Sequence, residues 1–266
     1  MRARFCLTIL ALAALVSPAE AVLQGTSSRD ANGVRRGVVA VENSVGELCS
    51  GVLVAQDIVL TAAHCVTDQA SYRIVSVNRA FRTQALNVVA VLAHPAFIPG
   101  TTPRTQPGVD LALLKLERPL GSDFVPYDPR LATAITDDDR VTVAGFGLLA
   151  EKRKGTARTL REAALVANGT VEAANSVQIA VDPRRRAETS GAGACHGDSG
   201  GPVFTGPPSD HRLSGIISWS SGPMRPPGGA SLCGGMTAIT PLADHLAWVT
   251  SATRKLTGPE GTWSRR

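Results

Sequence analysis

The sequence predicts an all-β protein that ends in one helix, and three observations lead to this class. Short runs rich in Val, Ile and Leu recur through most of the chain, and Gly, Pro, Asn and Asp bound them. No helical periodicity separates these runs, and many short strands in succession are typical of an antiparallel sandwich or barrel. A length of 266 residues, 44% of them hydrophobic, is enough for one large β domain or two small ones.

The strands are expected in two groups along the chain. The first group comprises residues 37–41, 48–54, 58–61, 86–92 and 111–116. The second group comprises residues 141–144, 163–166, 177–181, 202–204, 213–219 and 236–239. Residues 123–139, which are rich in Pro and Asp, are the expected link between the two halves.

One helix is expected near the C-terminus, after Pro241, because a proline suits the first turn of a helix. The residues that recur there at three- and four-residue spacing are Leu242, His245, Leu246 and Val249. We expect this helix to pack against a barrel. The polar tail 251–266 is expected to be frayed.

Residues 1–21 differ from the rest of the chain. Arg2 and Arg4 precede an apolar run, and an Ala-Glu-Ala sequence follows that run as a cleavage signal. These features predict a signal peptide, a mature chain that begins at Val22, and secretion to a periplasm or the extracellular space. The apolar run is too short to span a bilayer comfortably, so a retained membrane anchor is the less favoured alternative.

Loss of the leader changes the cysteine count and the charge. One of five cysteines leaves, and an even number remains: Cys49, Cys65, Cys195 and Cys233. Two disulfides are therefore expected. Zinc ligation is a poor alternative because no Cys-x-x-Cys occurs, and neither a metal nor another cofactor is expected. The formal charge falls from +5 to +4, because the leader holds two arginines and one glutamate, and the scattered basic residues indicate no nucleic-acid partner.

Three local motifs contain the residue types that nucleophilic acyl transfer needs. They are Thr-Ala-Ala-His-Cys at 61–65, Asp-Leu-Ala-Leu-Leu-Lys-Leu at 110–116 and Gly-Asp-Ser-Gly-Gly-Pro-Val at 197–203. A serine hydroxyl needs an imidazole to accept its proton, and the imidazole needs a carboxylate that fixes its tautomer. Each motif alone has a plainer explanation as a turn or as core packing. All three in this order, in an exported β-rich chain, favour catalysis.

In the order His, Asp, Ser, the three segments resemble the signatures of chymotrypsin/trypsin-like serine peptidases. The resemblance implies two packed six-stranded antiparallel β-barrels: residues 22–122 as the first, and residues 140–250 as the second with the C-terminal helix. Residues 22–250 together would form one peptidase domain. The implied activity is that of a secreted serine endopeptidase that cleaves proteins or peptides through an acyl-enzyme on Ser199.

The resemblance also implies roles around the catalytic triad. His64 as general base and Asp110 would come from the first barrel and Ser199 from the second, with the site in the cleft between them. The backbone amides of Gly197 and Ser199 would form an oxyanion hole, and Ser218 would hydrogen-bond Asp110. The implied disulfides are Cys49–Cys65 and Cys195–Cys233.

The start of the mature chain, Val22-Leu23-Gln24-Gly25, resembles the Ile-Val-Gly-Gly start of active family members. The resemblance implies that the freed amine of Val22 pairs with Asp198 and orders the oxyanion loop. No propeptide is evident, so our hypothesis is that signal removal itself activates the enzyme. Cleavage after Arg36 is the alternative, but it leaves a segment that looks too short to reach Asp198.

The substrate pocket is also assigned by resemblance. Gly193 would lie at its base, Ser218, Trp219 and Ser220 along one wall, and Gly235 at the back. No acid is present at the base, which disfavours cleavage after Arg or Lys. Ser220 stands where members with open pockets have glycine, so we expect a small or medium apolar substrate residue before the scissile bond.

Two rival functions remain open from the sequence. A catalytically silent binding module would keep the fold without the activity, and a secreted esterase would use the same triad on other substrates. His196, beside the nucleophile loop, is interpreted either as part of the pocket rim or as an exposed bystander. The oligomeric state is not indicated.

Overall fold

The structure is a computed structural model that describes residues 22–30, 33–66, 70–100, 108–149, 151, 155–172, 175–225 and 231–259. The predicted signal peptide lies outside these residues, as does the end of the tail. The described residues form thirteen strands and one α-helix. These are β1 Thr26–Ser27, β2 Val38–Asn43, β3 Leu48–Ala55, β4 Ile58–Thr61, β5 Tyr72–Val77, β6 Thr83–Ala93, β7 Ala112–Leu116, β8 Arg140–Gly145, β9 Arg161–Glu172, β10 Ser176–Val181, β11 Pro202–Thr205, β12 Arg212–Ser220, β13 Met236–Pro241 and α1 Leu246–Thr257.

Each half of the chain closes an antiparallel barrel. Strands β2 to β7 close the first in the order β2-β3-β4-β7-β6-β5. Strands β8 to β13 close the second, because β9 pairs with β10 on one side and with β8 on the other. The short β1 adds to the outside of β9, with Thr26 opposite Glu162. These two six-stranded barrels confirm the predicted fold class.

Besides the short β1, which was not predicted, two strands differ from the sequence-based expectation because polar residues interrupt their apolar ones. Strand β5 was not predicted, yet Tyr72, Ile74 and Ser76 form its buried face and Arg73 points outward. Strand β9 was predicted only at 163–166. Its second half is more polar and more exposed, and pairing with β10 holds it in the sheet.

The C-terminal helix extends further than predicted, so the expectation of a frayed tail from residue 251 is wrong. Val249, Ala252 and Leu256 are buried and recur at three- and four-residue spacing, which continues the apolar face beyond residue 250. The helix follows the last strand of the second barrel but contacts β4 and β7 of the first. Among the described residues, no helix is long and apolar enough to cross a membrane.

Candidate active site

His64 and Asp110 lie side by side because β4 pairs with β7. The register places Thr61 opposite Ala112, and His64 follows β4 in a short 3-10 helix while Asp110 precedes β7. Nδ1 of His64 lies 2.8 Å from Oδ2 of Asp110, and the backbone N–H of His64 donates to Oδ1 at 2.9 Å. These two contacts fix the orientation of the His64 imidazole against the Asp110 carboxylate.

Asp110 is fully buried, and its surroundings keep it ionised. Burial acts to raise the pKa of Asp110, but the charge of the His64 imidazolium and hydrogen bonds from His64 and Ser218 outweigh it and lower the pKa. The hydroxyl of Ser218 donates to Oδ2 at 2.5 Å, which is the contact expected from the sequence. The carboxylate is therefore prepared to stabilise a positive charge on His64.

Ser199 lies between β10 and β11, on the second barrel. Its carbonyl accepts a hydrogen bond from the Ser50 amide of β3 at 2.8 Å, which ties the nucleophile loop to the first barrel. Ser199 and His64 line one cavity of about 370 Å³. The Ser199 hydroxyl donates to the carbonyl of Ser218 at 3.4 Å rather than to the imidazole.

Gly197, one of the two predicted oxyanion-hole residues, has an unusual backbone conformation. Its φ is +94°, a left-handed conformation that favours glycine, and a Cβ here would lie 2.9 Å from the Cα of Gly147. The Ser50 hydroxyl accepts from the Phe146 amide at 2.9 Å and donates to the Gly197 carbonyl at 2.8 Å. Within the described part of the chain, no backbone hydrogen bond occupies the amide of Gly197 or of Ser199.

Asp198 is fully buried directly beside the nucleophile. Its carboxyl accepts backbone hydrogen bonds from Gly147 at 2.8 Å and from Cys195 at 2.9 Å. Burial raises the pKa of Asp198 to about 7, against the lowering effect of these bonds and of Arg161. The turn around Phe146 needs its two glycines, because a Cβ at Gly145 or at Gly147 would overlap the Asp198 carboxyl.

The segment that begins at Val22 lies against the base of the predicted substrate pocket. Val22 is 1% exposed and packs in the core of the second barrel, near Ala192 and Ala194. Leu23 and Gly193 exchange two backbone hydrogen bonds, of 3.0 and 3.2 Å. The first two residues of the predicted mature chain are thus ordered within the protein.

The residues of the predicted pocket lie together at the ends of β12 and β13. A Cβ built on Gly193 would lie 3.5 Å from the hydroxyl of Thr237. The Ser220 hydroxyl donates to the carbonyl of Leu232 at 2.7 Å and joins one wall to the other. A Cβ on Gly235 would lie 2.1 Å from the Gly222 carbonyl, so the walls also approach closely at the back.

Sequence reasoning missed one residue at this entrance, Glu151. Its carboxylate accepts a short hydrogen bond from the Leu232 amide and lies 3.7 Å from Nε2 of His196. His196 also lines the cavity of His64 and Ser199, so it belongs to the rim. Glu151 stands in a polar loop with no local motif, and nothing near it in the sequence indicates a contact 81 residues away.

Both disulfides implied by the resemblance are present: Cys49–Cys65 and Cys195–Cys233. The first holds the His64 segment to β3. The sulfurs of Cys49 and Cys65 lie close enough to a ring nitrogen of His64 for the three to hold one metal ion. Both sulfurs are oxidised in the disulfide, however, and are not available as thiolate ligands.

Comparisons with known proteins agree with this geometry. The family model described as Trypsin matches residues 23–243. Kallikrein-8 of Homo sapiens is 32% identical over 222 residues, covering 80% of this chain and 78% of that protein. A vitellin-degrading protease of Bombyx mori is 35% identical over 191 residues, covering 67% and 68%. The solved structure of human heparin binding protein superposes with a TM-score of 0.67 at 20% identity, covering 89% of this chain and 98% of that one, which supports the fold alone. The chain therefore belongs to the trypsin family and is a serine-type endopeptidase.

Proposed function

We propose that this endopeptidase is secreted and cleaves peptide bonds through an acyl-enzyme on Ser199. The observation that carries the proposal is the contact of His64 with the buried Asp110, together with the cavity that His64 and Ser199 line. The two disulfides support export, because such bonds persist in oxidising compartments. The extracellular space and a periplasm fit this chemistry equally.

The proposed reaction moves one proton through His64. Nε2 of His64 takes the proton of the Ser199 hydroxyl while Oγ bonds to the substrate carbonyl carbon. The amides of Gly197 and Ser199 stabilise the negative oxygen that forms, and Asp110 stabilises the imidazolium. The imidazolium then gives its proton to the leaving amine as the C–N bond breaks. Water repeats the sequence, releases the acid and restores the serine.

Substrate is proposed to bind as an extended strand beside residues 218–220 of β12. Strand β11 pairs with β12 only as far as Ile216, while β13 continues along the other side to Ser220. One side of β12 beyond Ile216 is therefore not covered by β11, which suits addition of a peptide strand.

Fluorophosphonate labelling tests the catalytic assignment. The mature protein is expected to take up one label, mapped by mass spectrometry to Ser199, and to cleave peptides before labelling but not after it. The matched control is Ser209→Ala, an exposed serine on a remote turn, which should label fully. A folded protein that neither labels nor cleaves would identify a silent binding module, and ester cleavage without peptide cleavage would identify an esterase.

The pocket is proposed to accept small or medium apolar side chains before the scissile bond. Its base has no acid at Gly193, and the bond from Ser220 to Leu232 narrows the entrance. Substrates with Ala or Val should be cleaved faster than those with Phe or Arg. Ser220→Gly should raise kcat/KM for a Phe substrate by about tenfold, because a few atoms in an apolar pocket contribute that much discrimination.

The specificity measurement uses fluorogenic peptides that differ only in that residue. Ser221→Gly is the control, since the Ser221 hydroxyl bonds to the neighbouring Gly222 carbonyl instead of the opposite wall. A profile dominated by Arg or Lys would refute the proposal.

The mature terminus is proposed to activate the enzyme through Asp198. The Asp198 carboxyl is buried and has a raised pKa. Leu23, the second residue of the predicted mature chain, is already hydrogen-bonded to Gly193. A protonated amine at Val22 would give this carboxyl the positive partner that burial makes favourable.

A further inference from the structure

A second cavity, of about 410 Å³, lies where β1 joins the outside of the second barrel and meets the first. Three arginines line it, Arg29, Arg35 and Arg158, beside apolar walls that include Phe81 and Phe146. None of its lining residues belongs to the cavity of His64 and Ser199. It is a separate site.

Arg35 is the unusual residue of this cavity. It is only 5% exposed, and neither of its terminal nitrogens has a hydrogen-bond partner in the described part of the chain. The guanidinium carbon lies 3.9 Å from the ring centroid of Phe81, so one face is covered by an aromatic ring. An aromatic ring attracts a cation but cannot accept two directed N–H hydrogen bonds. A buried charge normally has an oppositely charged or hydrogen-bonding partner. The two terminal nitrogens of Arg35 therefore lack an acceptor among the described residues.

Every charged residue that lines the cavity is an arginine. Arginine stays protonated at physiological pH. The Glu42 carboxylate, outside the lining, accepts from Nε of Arg158 at 2.8 Å and also binds Arg73. Glu42 is thus already shared between two arginines and does not neutralise Arg35.

We propose that this cavity binds a small organic carboxylate. A planar carboxylate accepts two parallel N–H bonds from a guanidinium. Both terminal nitrogens of Arg35 are shielded from solvent, so such a ligand would satisfy them after a side-chain shift that opens them to the cavity. The apolar walls favour a ligand with a hydrocarbon or aromatic body rather than a bare inorganic anion. The volume lies within the range of small-molecule pockets. Carboxylate and apolar body together define the ligand class.

The test uses 4-phenylbutyrate, with 4-phenylbutyramide as an uncharged probe of the same shape. The protein is the mature Ser199→Ala chain, so that covalent chemistry does not contribute, and binding is measured by saturation-transfer NMR and calorimetry. The acid is expected to bind at least about tenfold more tightly than the amide, because one charge-assisted contact is lost. Equal affinities for the two probes would overturn the proposal.

Arg35→Met separates this site from any binding in the catalytic cleft. The variant keeps the length of the side chain and removes the charge, so the preference for the acid should disappear. Its melting temperature without ligand should equal or exceed that of the parent, because an unpaired buried charge is removed. Arg212→Met, at an exposed arginine that pairs with Asp210, is the matched control and should keep the preference.

A lower melting temperature for Arg35→Met, or an unchanged preference, would mean that Arg35 is structural and would contradict the proposal. Phe81→Ala provides a second variant, since Phe81 is 63% exposed and its loss should not prevent folding. This change opens one wall and should weaken 4-phenylbutyrate binding several-fold. Full affinity in Phe81→Ala would also count against the site. Neither outcome depends on peptidase activity.

Discussion

Replacing Ser199 by alanine is expected to lower kcat/KM for peptide cleavage by about 10⁴- to 10⁶-fold, with little change in KM. Under the proposed mechanism the substitution removes the atom that would form the acyl bond, while the amides of Gly197 and Ser199 and the pocket stay in place. The residual rate then reflects water attack assisted by the oxyanion hole alone. Initial rates on a peptide with Ala before the scissile bond measure the effect.

Folding must be shown to survive the change. The Ser199 hydroxyl makes one long hydrogen bond, to the Ser218 carbonyl, so the melting temperature should shift little. Ser209→Ala, made and purified in parallel, should retain full activity. More than about one hundredth of the wild-type rate in Ser199→Ala would place the nucleophile elsewhere, because loss of a nucleophile costs far more than that.

A one-residue extension at the amino terminus is expected to lower kcat/KM by at least about 100-fold. With the Val22 amine bound in a peptide, Asp198 would keep the favourable charge of Arg161 but lose the proposed ammonium partner, and the loop proposed to position the Gly197 and Ser199 amides would lose a restraint. Loss of one oxyanion donor alone has an effect of about 10² to 10³. The comparison uses two proteins released from the same fusion, one starting at Val22 and the other at Ala21.

The same two proteins should differ in how stability depends on pH. In the extended chain the pKa of Asp198 is raised, mainly by burial, from 3.8 to about 7. The folded state then binds a proton that the unfolded state releases, so this contribution is present below pH 3.8 and is lost as pH rises toward 7. The chain starting at Val22 should lack this loss, because the amine favours the ionised carboxylate.

Two controls accompany the terminus experiment. Val22→Ile keeps a free amine and an apolar side chain and should retain activity, whereas Asp198→Asn should be impaired with either terminus. Equal activity of the two starting points, or a natural mature terminus found at Gly37 by mass spectrometry, would contradict activation by signal removal.

The sequence by itself was sufficient for the features that depend on local chemistry. The three motifs and their order indicated the family because each places a reactive group within a few residues of a recognisable turn or strand. The resemblance to that family then implied the two barrels and both disulfide pairs. Alternating apolar runs located most strands, but Tyr72–Val77 was missed because its buried face includes Ser76. The predicted helix was too short because the regular spacing of its apolar residues was not followed past Val249.

Only the tertiary structure decided the features that depend on contacts between distant segments. It placed the C-terminal helix on the first barrel, set Glu151 against Leu232 and joined Ser220 across the pocket entrance. It also buried Asp198 beside two glycines and left the terminal nitrogens of Arg35 without acceptors among the residues that the structure describes. Burial and desolvation are sums over neighbours from many parts of the chain, so no short stretch of sequence encodes them.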